Sequence, residues 1–384
     1  MLKLTPRLTI LIVFAAFGTL VGSNAGSFPV LVKQAAVSRE AFGFMGGLGM
    51  LANIVALSLG GFINRHADHR TMLLLVLPLG LASLWYTLIV GSPFSYGLSV
   101  VLFSFILGTT DIFMNAEASV VEHDVGKPIF SSFHGSAMYG IAFGGLCSSI
   151  VSTWYGPWSA GIVSIPCILF AIYAVYKSIP HRPVARHQEN PKKVILPRKI
   201  LTFIGIAAGL NVSCEVASIQ WAGQLLDSIA PQLAAYSGLG LAFYGICSGS
   251  MRFAGDGLRA RFGDQRTMVT SLSFGIAGLA TLSFAPGFWL SVIAFAAVGA
   301  GLSIVFPCLF SLAAKLVPEA RAAALGYVSL VGGLPRVVLP WVLGFLAQHY
   351  SLSAVFGACV VVATTALIII ISTFAKANAA VTST

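Results

Sequence analysis

Residues 65–72 read RHADHRTM, and residues 261–268 read RFGDQRTM. A chain of 384 residues with only 9% charged side chains thus writes one charged phrase twice, 196 residues apart, close to half its length. That spacing predicts an internal duplication, and the composition around the two copies says in which solvent it folds. With 57% hydrophobic residues and a mean hydropathy of +0.90, the chain lies far from the roughly 25% charge of soluble domains. A water-soluble core cannot hide so much apolar surface, so the solvent is lipid.

Apolar runs of about 20 residues, bounded by charge or by Pro/Gly turns, number twelve. They cover roughly 8–32, 40–63, 72–91, 94–121, 132–153, 157–178, 199–224, 233–255, 267–285, 288–313, 321–348 and 352–374. Each must be a helix, because a helix satisfies its own backbone in hydrocarbon and an open strand does not. The expected fold class is therefore all-α and integral to the membrane, with twelve transmembrane helices. The first run, preceded by Lys3 and Arg7 and carrying Asn24-Ala25-Gly26, has the outline of a signal peptide. It continues to Val32 and many similar runs follow, so it reads as the first span.

The formal net charge of +10 raises the question of nucleic acid. The basic residues are scattered between apolar runs, however, and no basic stretch is interleaved with aromatics as a single-strand groove requires. Topology accounts for them. Lys3, Arg7, Arg65, Arg70, Lys127, the 177–199 stretch, Arg252, Arg259, Arg261, Arg266, Lys315, Arg321 and Lys376 fall on one side, with Lys33 and Arg39 on the other. By the positive-inside rule an even number of spans puts both termini in the cytoplasm, here of a bacterial inner membrane.

The longest loop, 179–198, mixes Pro180, Pro183, Pro191 and Pro197 with Arg182, Arg186, Lys192 and Lys193. It reads as a solvated linker held near anionic lipid, dividing the chain into halves 1–178 and 199–384. The two octapeptides then sit at the same place in each half, between spans 2 and 3 and between spans 8 and 9. Such a repeat is the signature of many secondary transporters. Cys147, Cys167, Cys214, Cys247, Cys308 and Cys359 each lie inside an apolar run and read as small hydrophobes. No metal site, cofactor or enzymatic activity is expected, since the sequence has no nucleophile motif, phosphate loop or metal-ligand spacing.

The repeated loop resembles the Gly-x-x-x-Asp-Arg-x-Gly-x-Arg loop of the major facilitator superfamily, and the resemblance covers essentially the whole chain. The first copy runs Gly60, Phe62, Asn64, Arg65, Ala67, Asp68, Arg70; the second runs Leu258, Arg261, Gly263, Asp264, Arg266. The resemblance implies a cytoplasmic gate formed by Gly60, Arg65, Asp68, Arg70, Arg261, Asp264 and Arg266, whose charges bridge neighbouring helix ends and hold one side shut. The family's usual acidic position is Asn64 in one copy and Ala260 in the other. Positive-inside topology alone would explain the arginines but needs neither Asp68 nor Asp264.

Residues 107–145, LGTTDIFMNAEASVVEHDVGKPIFSSFHGSAMYGIAFGG, look like the fourth and fifth spans of the sugar and rhizopine permease-like branch, related to fucose permeases. They depart from drug/proton antiporters, because span 4 has no arginine and the Gly140, Gly144, Gly145 series in span 5 lacks the antiporter motif's proline.

An ionisable side chain deep in a bilayer costs roughly 2.5 to 3.5 kcal/mol on insertion scales, so each one needs a reason. Asp111 lies in span 4; on a helix Asn115 is about 40° and Glu122 about 20° from it, one shared face from which Glu117 points away. Asp111 and Asn115 read as cavity-lining. Glu122 and His134 read as a proton relay at the cytoplasmic mouth. Span 7 carries Asn211, Glu215 and Ser218 on one face, and span 11 carries Arg336 between Pro335 and Pro340. A lone arginine there calls for a carboxylate, from Asp111 or Glu215, or for an anionic substrate group. Asn24, Gln220 and Trp221 are candidates to bind hydroxyls and stack a ring, and the 196-residue shift maps Asn24 onto Gln220. Interhelical glue is the competing role for these residues. Glycine pairs four apart, Gly18 and Gly22, Gly43 and Gly47, Gly245 and Gly249, predict closely approaching helices.

The expectation is a monomeric, secondary active transporter moving a small polar organic solute, such as a sugar, polyol or sugar-like amine. It would couple to protons and work by alternating access, with the bilayer and its solute as partners and no nucleic acid. An efflux antiporter for drugs or metabolites and a transport-dead membrane sensor are the competing readings.

Overall fold

The computed structural model describes residues 4–63, 67–127, 129–181 and 196–382. Among them run thirteen α-helices: α1 (Pro6–Gln34), α2 (Arg39–Ile63), α3 (His69–Ile89), α4 (Pro93–Val125), α5 (Phe130–Tyr155), α6 (Ala160–Ser178), α7 (Arg198–Ile229), α8 (Leu239–Phe262), α9 (Asp264–Ser283), α10 (Phe288–Leu302), α11 (Val305–Leu316), α12 (Arg321–His349) and α13 (Leu352–Thr382). These are the twelve expected spans, with the tenth built from α10 and α11. The break between them falls at Ser303 and Ile304, just ahead of Pro307, which has no N–H to continue the helical ladder and sits in the first turn of α11.

Ten segments are long and apolar enough to cross a membrane on composition alone; α8 and α9 are the two that fall short. Their lengths, 24 and 20 residues, suffice for about 30 Å of hydrocarbon. What dilutes α8 is Arg252, Asp256, Arg259 and Arg261, and the use of those charges is the substance of the site described below.

Helix starts follow local chemistry. Thr5 Oγ1 accepts from Leu8 N with Pro6 in the first turn, and Ser92 and Ser95 form a reciprocal capping box at α4. Asp68 caps α3 by accepting from Thr71 N at 3.0 Å and Thr71 Oγ1 at 2.8 Å. Between α8 and α9, Gly263 takes φ +82°, a left-handed turn open to glycine at little cost, which is why the second octapeptide has glycine there.

The fold is two six-span bundles. One apolar core, with Phe14, Phe113 and Phe133 fully buried, belongs to α1 and α3 to α6. A second, around Trp221, Tyr244, Phe295 and Phe356, belongs mainly to α7 to α13 and reaches across to Phe28 and Phe42 of the first bundle. The bundles meet along two glycine-lined seams. A Cβ on Gly344 of α12 would stand 2.7 Å from Gly43 Cα of α2, and one on Gly245 of α8 would stand 2.6 Å from Met138 O of α5. Gly18 and Gly22 instead press α1 on α5 inside the first bundle.

Exposed aromatics, among them Phe94, Trp154, Tyr155, Phe284, Trp289 and Tyr350, ring the face opposite the termini, as interfacial belts do. Leu330, Leu334, Ile293 and Val361 are exposed along the helix shafts, where lipid tails would cover them.

Candidate functional site

The two faces of the molecule differ in how their charges are used. On the face opposite the termini, the bundles are tied to each other. Lys33 Nζ at the end of α1 reaches Asp227 Oδ2 near the end of α7 at 2.8 Å. Gln348 Oε1 accepts from Arg39 N at 3.1 Å, Arg39 Nη1 donates to Ala347 O at 3.3 Å, and His349 Nε2 lies 3.3 Å from Glu40 Oε2. Beneath them Phe42 packs edge-on against both Phe28 and Trp221, each with centroids 5.0 Å apart.

Under this seal a small cavity of about 140 Å³ is lined by Asn24, Phe28, Phe42, Tyr96, Ser104 and Gln220. The amides matched by the 196-residue shift do share one cavity. Trp221 does not join them: it is fully buried, with Phe42 against its ring, so it is a bundle-to-bundle packing residue and not a stacking platform.

Toward the terminal face lies a larger cavity of about 430 Å³ between the bundles. Its first-bundle wall holds Glu122, Phe130, Ser131 and His134; its second-bundle wall holds Glu215, Arg252, Asp256, Arg259, Phe306, Phe310 and Arg336. Glu215 is buried, and its Oε2 takes a hydrogen bond from Arg252 Nη2 at 3.0 Å while Oε1 takes one from Asn211 Nδ2 at 2.8 Å. Asn211 Nδ2 also donates to Leu302 O at 3.2 Å, tying α7 to the break between α10 and α11.

Arg252 is the residue that sequence reasoning misplaced. Counted with the loop charges that set topology, it instead points inward with its side chain 11% exposed, as the partner of Glu215. The signal that points to it is arithmetic: a carboxylate in mid-span on α7 needs a base, and α8 follows directly.

Arg336 therefore does not pair with Glu215. Its Nε donates to Gly332 O at 3.2 Å and its Nη2 to Ser329 O at 3.4 Å, both on its own helix. Asp111 binds Asn115 Nδ2 at 2.8 Å, on the face the helical spacing predicted, and lies within electrostatic reach of Arg336 without touching it. Asn115 Oδ1 is buried and makes no hydrogen bond among the described residues.

Glu122 and His134 share the cavity wall but not a hydrogen bond. Glu122 Oε2 accepts from Ile129 N at 2.7 Å and from Phe130 N, so it caps the start of α5, where a helix dipole favours an anion. His134 is wedged edge-on against Phe14, 5.0 Å between centroids, and tilted on Phe130. Glu117, expected to point away from Asp111, does so and sits 3.0 Å from His69 Nδ1.

Among the described residues, the repeated loops bond to nearby helix ends and, through Asp68, to the start of the 179–198 segment. In the first, His181 Nδ1 lies 2.9 Å from Asp68 Oδ2, while Arg70 Nη2 donates to Tyr176 O at 2.9 Å and its guanidinium covers the Tyr176 ring at 5.2 Å. In the second, Asp264 takes Arg259 Nε at 2.8 Å and Lys315 Nζ at 2.8 Å. Burial pushes the Asp264 carboxyl up, but the hydrogen bonds and charges of Lys315 and Arg259 outweigh it and hold the group below its ordinary 3.8. Arg261 lies over the Phe262 ring, and Arg266 is exposed. Gly60 is packed so closely that a Cβ would overlap Ile112 of α4. Arg65 lies outside the described residues.

The geometry can be set beside known proteins. The family described as Major Facilitator Superfamily matches residues 217–382. An uncharacterised transporter of Sinorhizobium fredii is 23% identical over 364 residues, covering 92% of this chain and 94% of its own length. An uncharacterised MFS-type transporter of Yersinia pestis is 23% identical over 308 residues, 80% of each chain, and the membrane protein MosC of Rhizobium meliloti is 25% identical over 262, covering 66% of this chain and 62% of its own.

Among solved structures, the D323A mutant of the nucleoside transporter NupG superposes with a TM-score of 0.77 at 15% identity, over 96% of this chain and 100% of that one. The human organic anion transporter MFSD10 gives 0.66 at 14% identity, over 95% and 99%. The chain is a multi-pass membrane protein with the major facilitator fold, and its second half matches that superfamily's own sequence pattern.

Proposed function

We propose that the protein is a secondary active transporter that carries a small polar organic solute of sugar, polyol or sugar-like amine type together with protons, by alternating access. One observation carries this reading: a cavity of about 430 Å³, within the range of small-molecule sites, lies between the bundles with charged residues on its walls, while inter-bundle bonds seal the opposite face. A closed scaffold or sensor has no need of a one-sided cavity with Glu215, Arg252 and Arg336 turned into it. The close approach at the glycine seams suits a sliding contact on which halves 1–178 and 199–384, joined by the linker 179–198, rock about a midplane site. The basic terminal face is the cytoplasmic one in this proposal, in a bacterial inner membrane.

Asp111 is the proposed proton carrier. It is the intramembrane carboxylate near Arg336 that no basic group contacts among the described residues, whereas Glu215 is held by Arg252. The test uses proteoliposomes loaded with a pH-reporting dye, under an imposed pH gradient, to which sugars, polyols, amino sugars and lipophilic cations are added in turn. Proton entry with a sugar-like solute is the expected result. Asp111→Asn is expected to abolish gradient-driven accumulation while counterflow exchange persists. Proton movement opposite to a lipophilic cation would make the protein an efflux antiporter instead.

A further inference from the structure

Three carboxylates, Glu122, Glu215 and Asp256, and three arginines, Arg252, Arg259 and Arg336, line the large cavity, but not every one has a direct partner. Glu215 is neutralised by Arg252, Asp256 by Arg259 at 3.4 Å, and Glu122 by the start of α5. Arg336 is the exception. It lines the same cavity, yet among the described residues no carboxylate oxygen comes within 4.0 Å of it. Two of its five N–H donors are spent on carbonyls of its own helix, leaving three. Keeping a guanidinium at this depth is costly unless something anionic completes it. Asp111 lies near enough to act on Arg336 electrostatically, but its Oδ1 accepts from Asn115 and it makes no direct bond to the guanidinium.

From this we infer that the transported solute is a monoanion, a carboxylate-bearing sugar or comparable hydroxy acid, whose carboxylate binds Arg336 in the large cavity. The inference rests on the transporter reading and narrows it. Arginine suits the task because its planar donor fork matches two carboxylate oxygens at once. Phe306 and Phe310, with centroids 4.2 Å apart, and Phe130 give the cavity an apolar wall for the rest of the solute's ring. The unused donors of Arg336 favour a ligand with a carboxylate, and a neutral sugar would leave that fork without an anionic partner.

The experiment compares D-glucuronate, D-glucose and D-glucosamine, three solutes with one ring size and three charges, for binding to the purified full-length protein and for counterflow in proteoliposomes. D-glucuronate is expected to bind and exchange in preference to the other two. Arg336→Gln is expected to weaken D-glucuronate by about tenfold or more, the loss of a charge-assisted contact. Arg336→Lys should keep part of the binding, which distinguishes lost charge from a misfolded helix, and circular dichroism checks folding in both. Equal or better exchange of D-glucose or D-glucosamine, or undiminished D-glucuronate binding in Arg336→Gln, overturns the inference and leaves the transporter reading standing. No exchange of any solute by folded, reconstituted protein counts against the transporter reading itself, and the inference falls with it.

Discussion

The two faces of this molecule use similar residues for opposite purposes. On the face away from the termini, Lys33, Arg39 and Glu40 bond to Asp227, Ala347, Gln348 and His349, so first-bundle charges meet second-bundle partners. On the terminal face, among the described residues, Asp68 bonds to His181 of the linker, Arg70 to Tyr176 of its own bundle, and Asp264 to Arg259 and Lys315 of its own bundle. A charge satisfied across the divide resists separation of the bundles, while one satisfied at home leaves them free to part. The cavity lies on the face where, among the described residues, no ion pair crosses between the bundles, although Ser131 Oγ donates to Arg252 O across its wall at 2.8 Å. The comparison teaches that sidedness here is set less by how many charges a face carries than by which bundle holds each partner.

The largest effect is expected between the faces, at Glu215 and Arg252. Removing one member of a buried pair leaves an uncompensated charge, so Arg252→Gln should destabilise the protein by about 3–5 kcal/mol. Thermal unfolding in detergent reads this, and the double variant with Glu215→Gln should recover much of the loss.

On the sealed face, Gly344→Val would push a side chain against Gly43 Cα and Arg39 O, 2.7 and 2.9 Å from its Cβ. Overpacking of that kind costs about 1–3 kcal/mol. Because the clash exists only while the seal is closed, it should shift the population toward the opened seal by roughly ten- to a hundredfold. Labelling of a cysteine placed at Asn24 by an impermeant maleimide, in a background without the native cysteines, should rise accordingly. No rise would mean that the contact of Gly344 with Gly43 does not hold that face closed.

On the open face, Asp264→Asn should cost about 1 kcal/mol of stability, since its partners are partly solvent-exposed, without changing that labelling. Asp264's carboxyl is depressed below 3.8, so the stability it adds is fully present above that value and is lost as pH falls through the lower folded value. The difference in melting temperature between wild type and variant should therefore be flat from pH 5 to 8 and shrink only below about pH 4. The smallest effect belongs to Lys33→Ala: the lysine is 70% exposed, and its pair with Asp227 contributes about 0.2–1 kcal/mol to the seal.

Much of this arrangement is legible in the sequence, for a physical reason. Hydrocarbon forces each span to be one long apolar helix, and duplication writes matching phrases at matching depth. The twelve spans, the shared face of Asp111 and Asn115, and the pairing of Asn24 with Gln220 in one cavity follow from those two facts.

What escaped is what depends on contacts between helices distant in sequence. Arg252 reads as a loop charge because it shares a span with Asp256, Arg259 and Arg261, and only the fold turns it toward Glu215. Lys33 and Arg39 read as strays on the wrong side for positive charge, and become the seal once α7 and α12 are seen beside them. Glu122 shares the predicted face with Asp111, yet the turn into α5 claims it as a cap. Trp221 has the chemistry of a sugar platform, but Phe42 occupies its ring first.

The most direct test of the account measures both faces in one preparation. Spin labels at Gly91→Cys and Gln232→Cys span the sealed face, and labels at Asp124→Cys and Glu319→Cys span the open one, all at exposed positions. Distances by pulsed electron resonance are recorded in proteoliposomes, with and without an exchanged solute. The account predicts that solute adds a longer-distance population across the sealed face and a shorter one across the open face, the two rising together. Distances that stay fixed on both faces, or that lengthen on both at once, would contradict it.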